Sequence, residues 1–359
     1  MTKSKRNKHK RKVDKAAEDL VPNQPTKEVN VLIEEAESAI DTFNYDEADS
    51  KLTEVLKINP DDTKALEMLA SVYIEQCKWF EVENLLKHCI EIAPSVGYSK
   101  FFSMAQLCNG KEALENYLKG VEIIEKELEN VENILPSEEK NKPSLQRNLS
   151  DAYCSIAEIY MTDCCDEENA EENCANAINY AMKVDPSNPD AYQCFAGFHL
   201  IRERLEEAKE AIQKSLSLWL PQHEAMRDGE SNEMEIVLPG QDSRTKTSKI
   251  LIEVEMFEEA TTILEGLLAE NDENVEFWYL LGLANYMHGE EYKYNAHYYF
   301  QKAKEIGTKF GFEDEEMEPQ VDDFIEELRK DYPLDEEDEQ DSKEAEFDSS
   351  SDSQDEMET

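Results

Sequence analysis

Apolar residues recur along most of this chain at steps of three and four, the spacing of a helix with one buried face. The stretches come in pairs, and the pairs repeat. Leu32 aligns with Leu66, Tyr45 with Trp79, Ala48 with Val82, Leu52 with Leu86 and Pro60 with Pro94, all at an offset of 34. Five coincidences of chemical class at one offset are hard to obtain by chance. A period of 34 that closes on proline predicts repeated helix–turn–helix units, which bury their apolar faces only by stacking on one another.

The pattern inside each unit resembles the tetratricopeptide family. That family carries a bulky residue at position 4, apolar and small residues at 7 and 8, and an aromatic at 11. Alanine follows at 20, a bulky residue at 24, alanine at 27 and proline at 32. From Thr63 the chain reads Leu66, Leu69, Ala70, Tyr73, Val82, Leu86, Cys89 and Pro94. From Pro189 it reads Tyr192, Phe195, Ala196, Ala208 and Ile212, and from Val275 it reads Trp278, Leu281 and Gly282, then Ala296, Phe300 and Ala303 after a two-residue insertion. Small residues at 8 and 20 let the paired helices approach closely. Weaker units span about 29–60, 97–130, 150–186 and 241–271, giving about seven in all. The resemblance implies an all-α superhelical solenoid.

Junction chemistry agrees. In Asp185-Pro186-Ser187-Asn188-Pro189-Asp190, Asn188 suits a helix N-cap, Pro189 the first helical position and Asp190 the first turn. Two stretches read as loops, about 131–147 with Pro136 and Pro143, and about 221–240 with Pro221, Gly229, Pro239 and Gly240. Val321, Phe324, Ile325 and Leu328 predict a short helix covering the end of the stack, as solenoids require for solubility. The expected organisation is therefore a disordered basic segment over 1–27, a solenoid over 28–312, a capping helix over 313–333 and a disordered acidic tail over 334–359.

Charge narrows the function. The 359 residues hold 83 Asp and Glu against 37 Lys and Arg, a formal net of −46. The ends are opposed: residues 1–15 carry eight bases and one acid, whereas 313–359 carry 23 acids and three bases. The part between still holds about −33. Phosphate would be repelled from such a surface, so direct nucleic-acid binding is not expected and a cationic partner is. No stretch approaches the length of an apolar membrane span, and the basic start lacks the apolar run of a signal peptide. The start resembles a nuclear localisation signal, which would engage an import factor and place the protein in cytoplasm and nucleus; a solubilising tail is an equal alternative.

No constellation expected of an enzyme is present: no phosphate-binding glycine loop, no nucleophile elbow and no paired histidines at metal spacing. No cofactor is expected. Cys154, Cys164, Cys165 and Cys174 form the one cysteine cluster, without the close pairs of a zinc site, and are expected as packed or turn thiols. His199 falls where the repeat calls for an aromatic and is assigned to packing.

In the tetratricopeptide family, positions 2, 5, 9, 12 and 13 of the first helix line the concave groove. Here those positions carry Glu37, Asp41, Glu67, Glu75, Asp151, Glu158, Asp190, Glu253 and Glu276, with Lys64 and Lys249 as the few bases. Tyr279 and Tyr286 fall at positions 5 and 12 and are expected to supply apolar contact. Acids at these positions disfavour the family members that grip acidic chaperone tails with lysine, asparagine and arginine. A solvated acidic face is the bland reading; an acidic groove for a basic protein is the sharper one. On it, reversing Glu67, Glu75 and Asp151 to lysine should abolish binding and leave helical content intact.

Further blocks resemble one subfamily: Ala105-Gln106-Leu107, Gly110-Lys111-Glu112-Ala113-Leu114, Ser155 through Asp163, Leu216-Ser217-Leu218-Trp219 and Trp278 through Gly282. They are similar to the dedicated assembly chaperones of large-subunit ribosomal protein four, over about residues 29–333. That resemblance implies a groove that holds the basic internal loop of the newly made L-four protein, shields it and accompanies it to the nucleus for 60S assembly. A histone-binding chaperone shares the charge logic, and a generic scaffold of the repeat family remains as a further alternative.

Overall fold

A computed structural model of the protein describes residues 27–133, 141–222, 238–312 and 314–334. Among these residues the regular structure is helical throughout. Contacts divide the chain into two compact units, residues 1–139 and 140–359.

The first unit holds three helical hairpins: α1 (Lys27–Asp41) with α2 (Tyr45–Ile58), α3 (Thr63–Glu75) with α4 (Trp79–Ile92), and α5 (Ser99–Leu107) with α6 (Gly110–Asn133). The second holds four. These are α7 (Lys142–Met161) with α8 (Ala170–Val184), α9 (Pro189–Ile201) with α10 (Leu205–Leu216), α11 (Gln241–Glu253) with α12 (Phe257–Glu270), and α13 (Val275–His288) with α14 (Lys293–Phe310). A last helix, α15 (Met317–Arg329), packs on α14.

The repeat positions form the core. Ala36, Ala48, Ala70, Ala196, Ala208, Ala260 and Ala296 are buried where helices cross, and Leu52, Leu86, Ile212, Leu264 and Phe300 fill the space beside them. Each fully buried side chain of that size contributes about 1.5–3 kcal/mol relative to exposure. Gly282 is small for a definite reason: a Cβ there would lie 2.6 Å from the Phe300 ring. Phe300 in turn stacks on Phe324 of α15, with centroids 4.7 Å apart.

Three of the hairpins begin alike. Asp62, Asn188 and Asn274 each accept a hydrogen bond from a backbone N–H in the first turn of α3, α9 and α13, at 3.1, 3.0 and 2.9 Å. The turns inside hairpins are alike too, in a way the apolar pattern does not reveal. Phe43, Cys77, Glu203 and Glu255 all take left-handed backbone, with φ of 57°, 55°, 57° and 59°, although none is glycine.

The segment 131–147, read from sequence as a loop, is shorter on both sides. α6 runs to Asn133 and α7 starts at Lys142, with Pro143 in its first turn, where a missing N–H costs the helix nothing. The expectations for 1–26 and 335–359, including the basic run, fall outside the described residues. All eight cysteines are free thiols; Cys154, Cys164, Cys174 and Cys194 are buried and Cys165 is exposed on a turn. His199 is buried between Phe195 and Phe198, with ring centroids 4.3 and 5.8 Å away.

Candidate functional site

In the first unit, Glu37 and Asp41 lie exposed on α1, and Glu37 pairs with Lys64 of α3 at 2.7 Å. Glu75 is exposed at the end of α3 and takes a hydrogen bond from Tyr45, whose phenol is held above its ordinary pKa by burial and by that carboxylate.

Glu67 is spent inside the fold. It accepts from Ser99, lies 3.8 Å from the ammonium of Lys100, and receives the Cys89 thiol at 3.7 Å. Lys100 is 1% exposed and also donates to the Val96 carbonyl. A buried ammonium without its counter-charge costs several kcal/mol. Reversing Glu67 to lysine would set a second cation beside the buried Lys100, so the triple reversal drawn from sequence is expected to lower helical content.

In the second unit, α7, α9 and α11 are the first helices of consecutive hairpins and together wall a trough. A cavity of about 490 Å³ lies among them, lined on its acidic side by Asp151, Glu158, Asp190 and Asp242 and on its polar side by Gln193 and Ser243. A second cavity of about 500 Å³ continues it past Gly197 toward Met161, Leu200, Ile201 and Ile250, with Glu253 at its edge. Asp151, Glu158, Asp190 and Glu253 are thus brought to one surface.

Three of these acids have defined partners. Asp151 accepts from the Asn188 amide at 2.7 Å, and Asn188, fully buried, also donates to Ser150 at 2.8 Å. Burial pushes the Asp151 carboxyl up to about 6; the Asn188 hydrogen bond and Arg147 oppose the shift, while Asp190 and Asp185 add to it. The Asn188 cap therefore does two jobs, starting α9 and fixing the acid. Asp190 accepts from the Ser243 hydroxyl. Glu158 pairs with Lys246 at 2.9 Å, and Glu276 with Lys249 at 2.6 Å. The wall is therefore acidic but partly compensated by two lysines of α11. Lys246 was not singled out in the sequence because it lies 88 residues from Glu158 and meets it only through the stacking.

Tyr279 and Tyr286 do not join this trough. Their hydroxyls donate to Gln320 and Glu327 of α15, at 2.9 and 2.7 Å. The Tyr286 ring packs on Phe324 at 4.7 Å and lies under the Lys293 ammonium, 3.1 Å from the ring centroid. Its phenol is pushed up to about 12, first by the hydrogen bond to Glu327. Two tyrosines seven residues apart meet two acceptors seven residues apart, so the terminal helix occupies the face on which a guest was expected.

Relatives can now be set beside this geometry. No family model matches the chain. It is 32% identical over 285 residues to a Schizosaccharomyces pombe protein named "Probable assembly chaperone of rpl4", a match spanning 74% of this chain and 80% of that protein. The chain belongs to this family of assembly chaperones. A second member, of the same name and from Emericella nidulans, is 28% identical over 76% of this chain and 71% of its own length. A solved structure, "Assembly Chaperone of RpL4 (Acl4)", matches with a TM-score of 0.65 and 25% identity, covering 75% of this chain and 98% of that one. The assembly-chaperone family thus accounts for the hairpin stack.

Proposed function

We propose that this protein is a dedicated, non-enzymatic assembly chaperone that binds newly made ribosomal protein rpl4, shields its basic surface and delivers it for assembly of the large ribosomal subunit. Kinship is the observation that carries this reading: a relative named for that role is 32% identical, and the match spans four-fifths of it. The trough of the second unit supports it chemically. Asp151, Glu158, Asp190 and Asp242 converge on one cavity, and apolar side chains continue it.

The ion pairs set how such a guest is held. Lys246 and Lys249 already occupy Glu158 and Glu276, so a guest lysine or arginine exchanges with them rather than meeting bare carboxylates. Exposed pairs contribute about 0.2–1 kcal/mol each. Charge then gives fast, salt-sensitive capture, and most affinity comes from apolar burial. The chaperone works in cytoplasm and nucleus, its basic start engaging an import factor, and makes no direct contact with nucleic acid.

The test is affinity capture of the tagged chain from cells, with mass spectrometry of what it holds. Rpl4 in near-equal amount is the expected result. Core histones in its place would favour the histone-chaperone alternative, and neither would leave a scaffold of the same fold. Loss of fluorescence from a reporter fused to residues 1–15 in nuclei would remove the import role.

A further inference from the structure

His199 stands in the last turn of α9, at the repeat position where the pattern calls for an aromatic. It is 7% exposed, and neither ring nitrogen has a hydrogen-bond partner among the described residues. The rings of Phe195 and Phe198 meet it edge-on and offer it only apolar contact. A neutral imidazole enclosed in this way leaves one donor and one acceptor unmade, which costs stability. Phenylalanine in the same slot would leave neither.

The backbone of the same residue carries the turn into α10. Its carbonyl accepts from the N–H groups of both Arg202 and Arg204, at 3.1 and 3.0 Å, and Glu203 between them is left-handed. Burial holds the ring below the ordinary histidine pKa of 6.5; Glu207 of α10 opposes that shift and Arg204 adds to it. From α8, Glu171 is already paired with Arg202, whose guanidinium lies 4.9 Å from the Phe198 ring centroid. The charged groups of α7 and α11 near α9, which are Asp151, Glu158, Asp242, Lys246, Lys249 and Glu253, line the trough, whereas His199 does not.

We propose that His199 is a proton-operated latch on the α9–α10 hairpin. Neutral, the ring stays in its slot and its carbonyl keeps the turn. Protonated, it carries a charge and two N–H donors with a hydrogen-bond acceptor for neither, so the ring leaves the slot for water and the turn loosens with it. Gly197, Leu200 and Ile201 of the same last turns line the second cavity of the trough, whose shape therefore follows the proton. Because burial disfavours the charged ring, the unfolded chain binds this proton more tightly than the folded one. Stability therefore falls as pH drops below the ordinary 6.5. Asp151 titrates with the opposite sign, but its contribution is common to two proteins that differ only at residue 199. The latch holds whatever the trough binds.

Thermal melts of the full chain and of His199→Phe, each at pH 7.5 and pH 5.5, test it. The Tm of the variant relative to wild type is expected to be about 3 °C higher at pH 5.5 than at pH 7.5. Should phenylalanine overfill the slot, the wild-type chain decides alone. The carbon-13 signal of the His199 ring, assigned by its absence from His199→Gln, is expected to titrate below 6.5. Amide exchange over residues 199–208, corrected for its intrinsic pH dependence, is expected to speed up in step with that titration. A Tm difference equal at both pH values, a ring that titrates at or above 6.5, or exchange over 199–208 that ignores the titration would overturn the latch.

Discussion

Replacing Asp151 by asparagine removes a charge from the trough while keeping a carbonyl oxygen to accept from Asn188. Burial holds the aspartate carboxyl at about 6 against an ordinary 3.8. A folded pKa above the unfolded one means that the folded state binds the proton more tightly. Ionisation of Asp151 therefore costs stability, fully above about pH 6, progressively less as pH falls, and not at all below 3.8. Two pKa units correspond to about 3 kcal/mol, a ceiling that the remaining solvent contact of the carboxylate reduces to about 1–2 kcal/mol. Asp151→Asn is thus expected to raise Tm at pH 7.5 by roughly 2–8 °C for a unit of this size, and by about half as much at pH 5. Thermal melts of both proteins at the two pH values measure it, beside titrations with a basic client peptide, which should bind the variant more weakly. A lower Tm at pH 7.5, or a gain independent of pH, would show that Asp151 carries no desolvation cost.

Other substitutions probe separate parts of the fold. Phe43 is 78% exposed and left-handed, so Phe43→Gly loses little contact and should stabilise the first unit by about 0.5–1 kcal/mol in urea titrations; Glu255→Gly should act alike in the second. Destabilisation by Phe43→Gly would mean that its ring packs where the structure leaves it bare. Gly282→Ala should cost about 1–3 kcal/mol by driving Phe300 off Phe324, whereas Gly197→Ala should raise stability, and the opposite ranking would contradict the cavity. Lys246→Ala frees Glu158 and should tighten a basic peptide about two- to fivefold at low salt; weaker binding would make Lys246 itself a contact.

The 34-residue offset makes the hairpins legible in the sequence. The small residues at crossings, the Asn188 cap and the apolar run ending at Leu328 are all local signals, set by spacing within one or two helices. What lay hidden depends on which helices meet. Glu67 looks like any acid on a solvated face until Lys100, buried 33 residues on, is placed beside it. Tyr279 and Tyr286 occupy groove positions by count, yet α15 folds back to bond both hydroxyls. The compensation of Glu158 by Lys246 crosses a hairpin boundary and has no trace in either helix alone. Gly197 could have been noticed as a glycine inside a helical pattern, but only the empty space above it shows that packing does not require it.

Titration calorimetry of the purified full chain with purified rpl4, repeated from low to high salt, asks most directly whether an acidic trough holds a basic client. One-to-one binding that weakens steeply with salt, and weakens further in Glu158→Gln, is expected. Absence of binding at low salt, or an affinity indifferent to both salt and that substitution, would place the client elsewhere or remove it altogether.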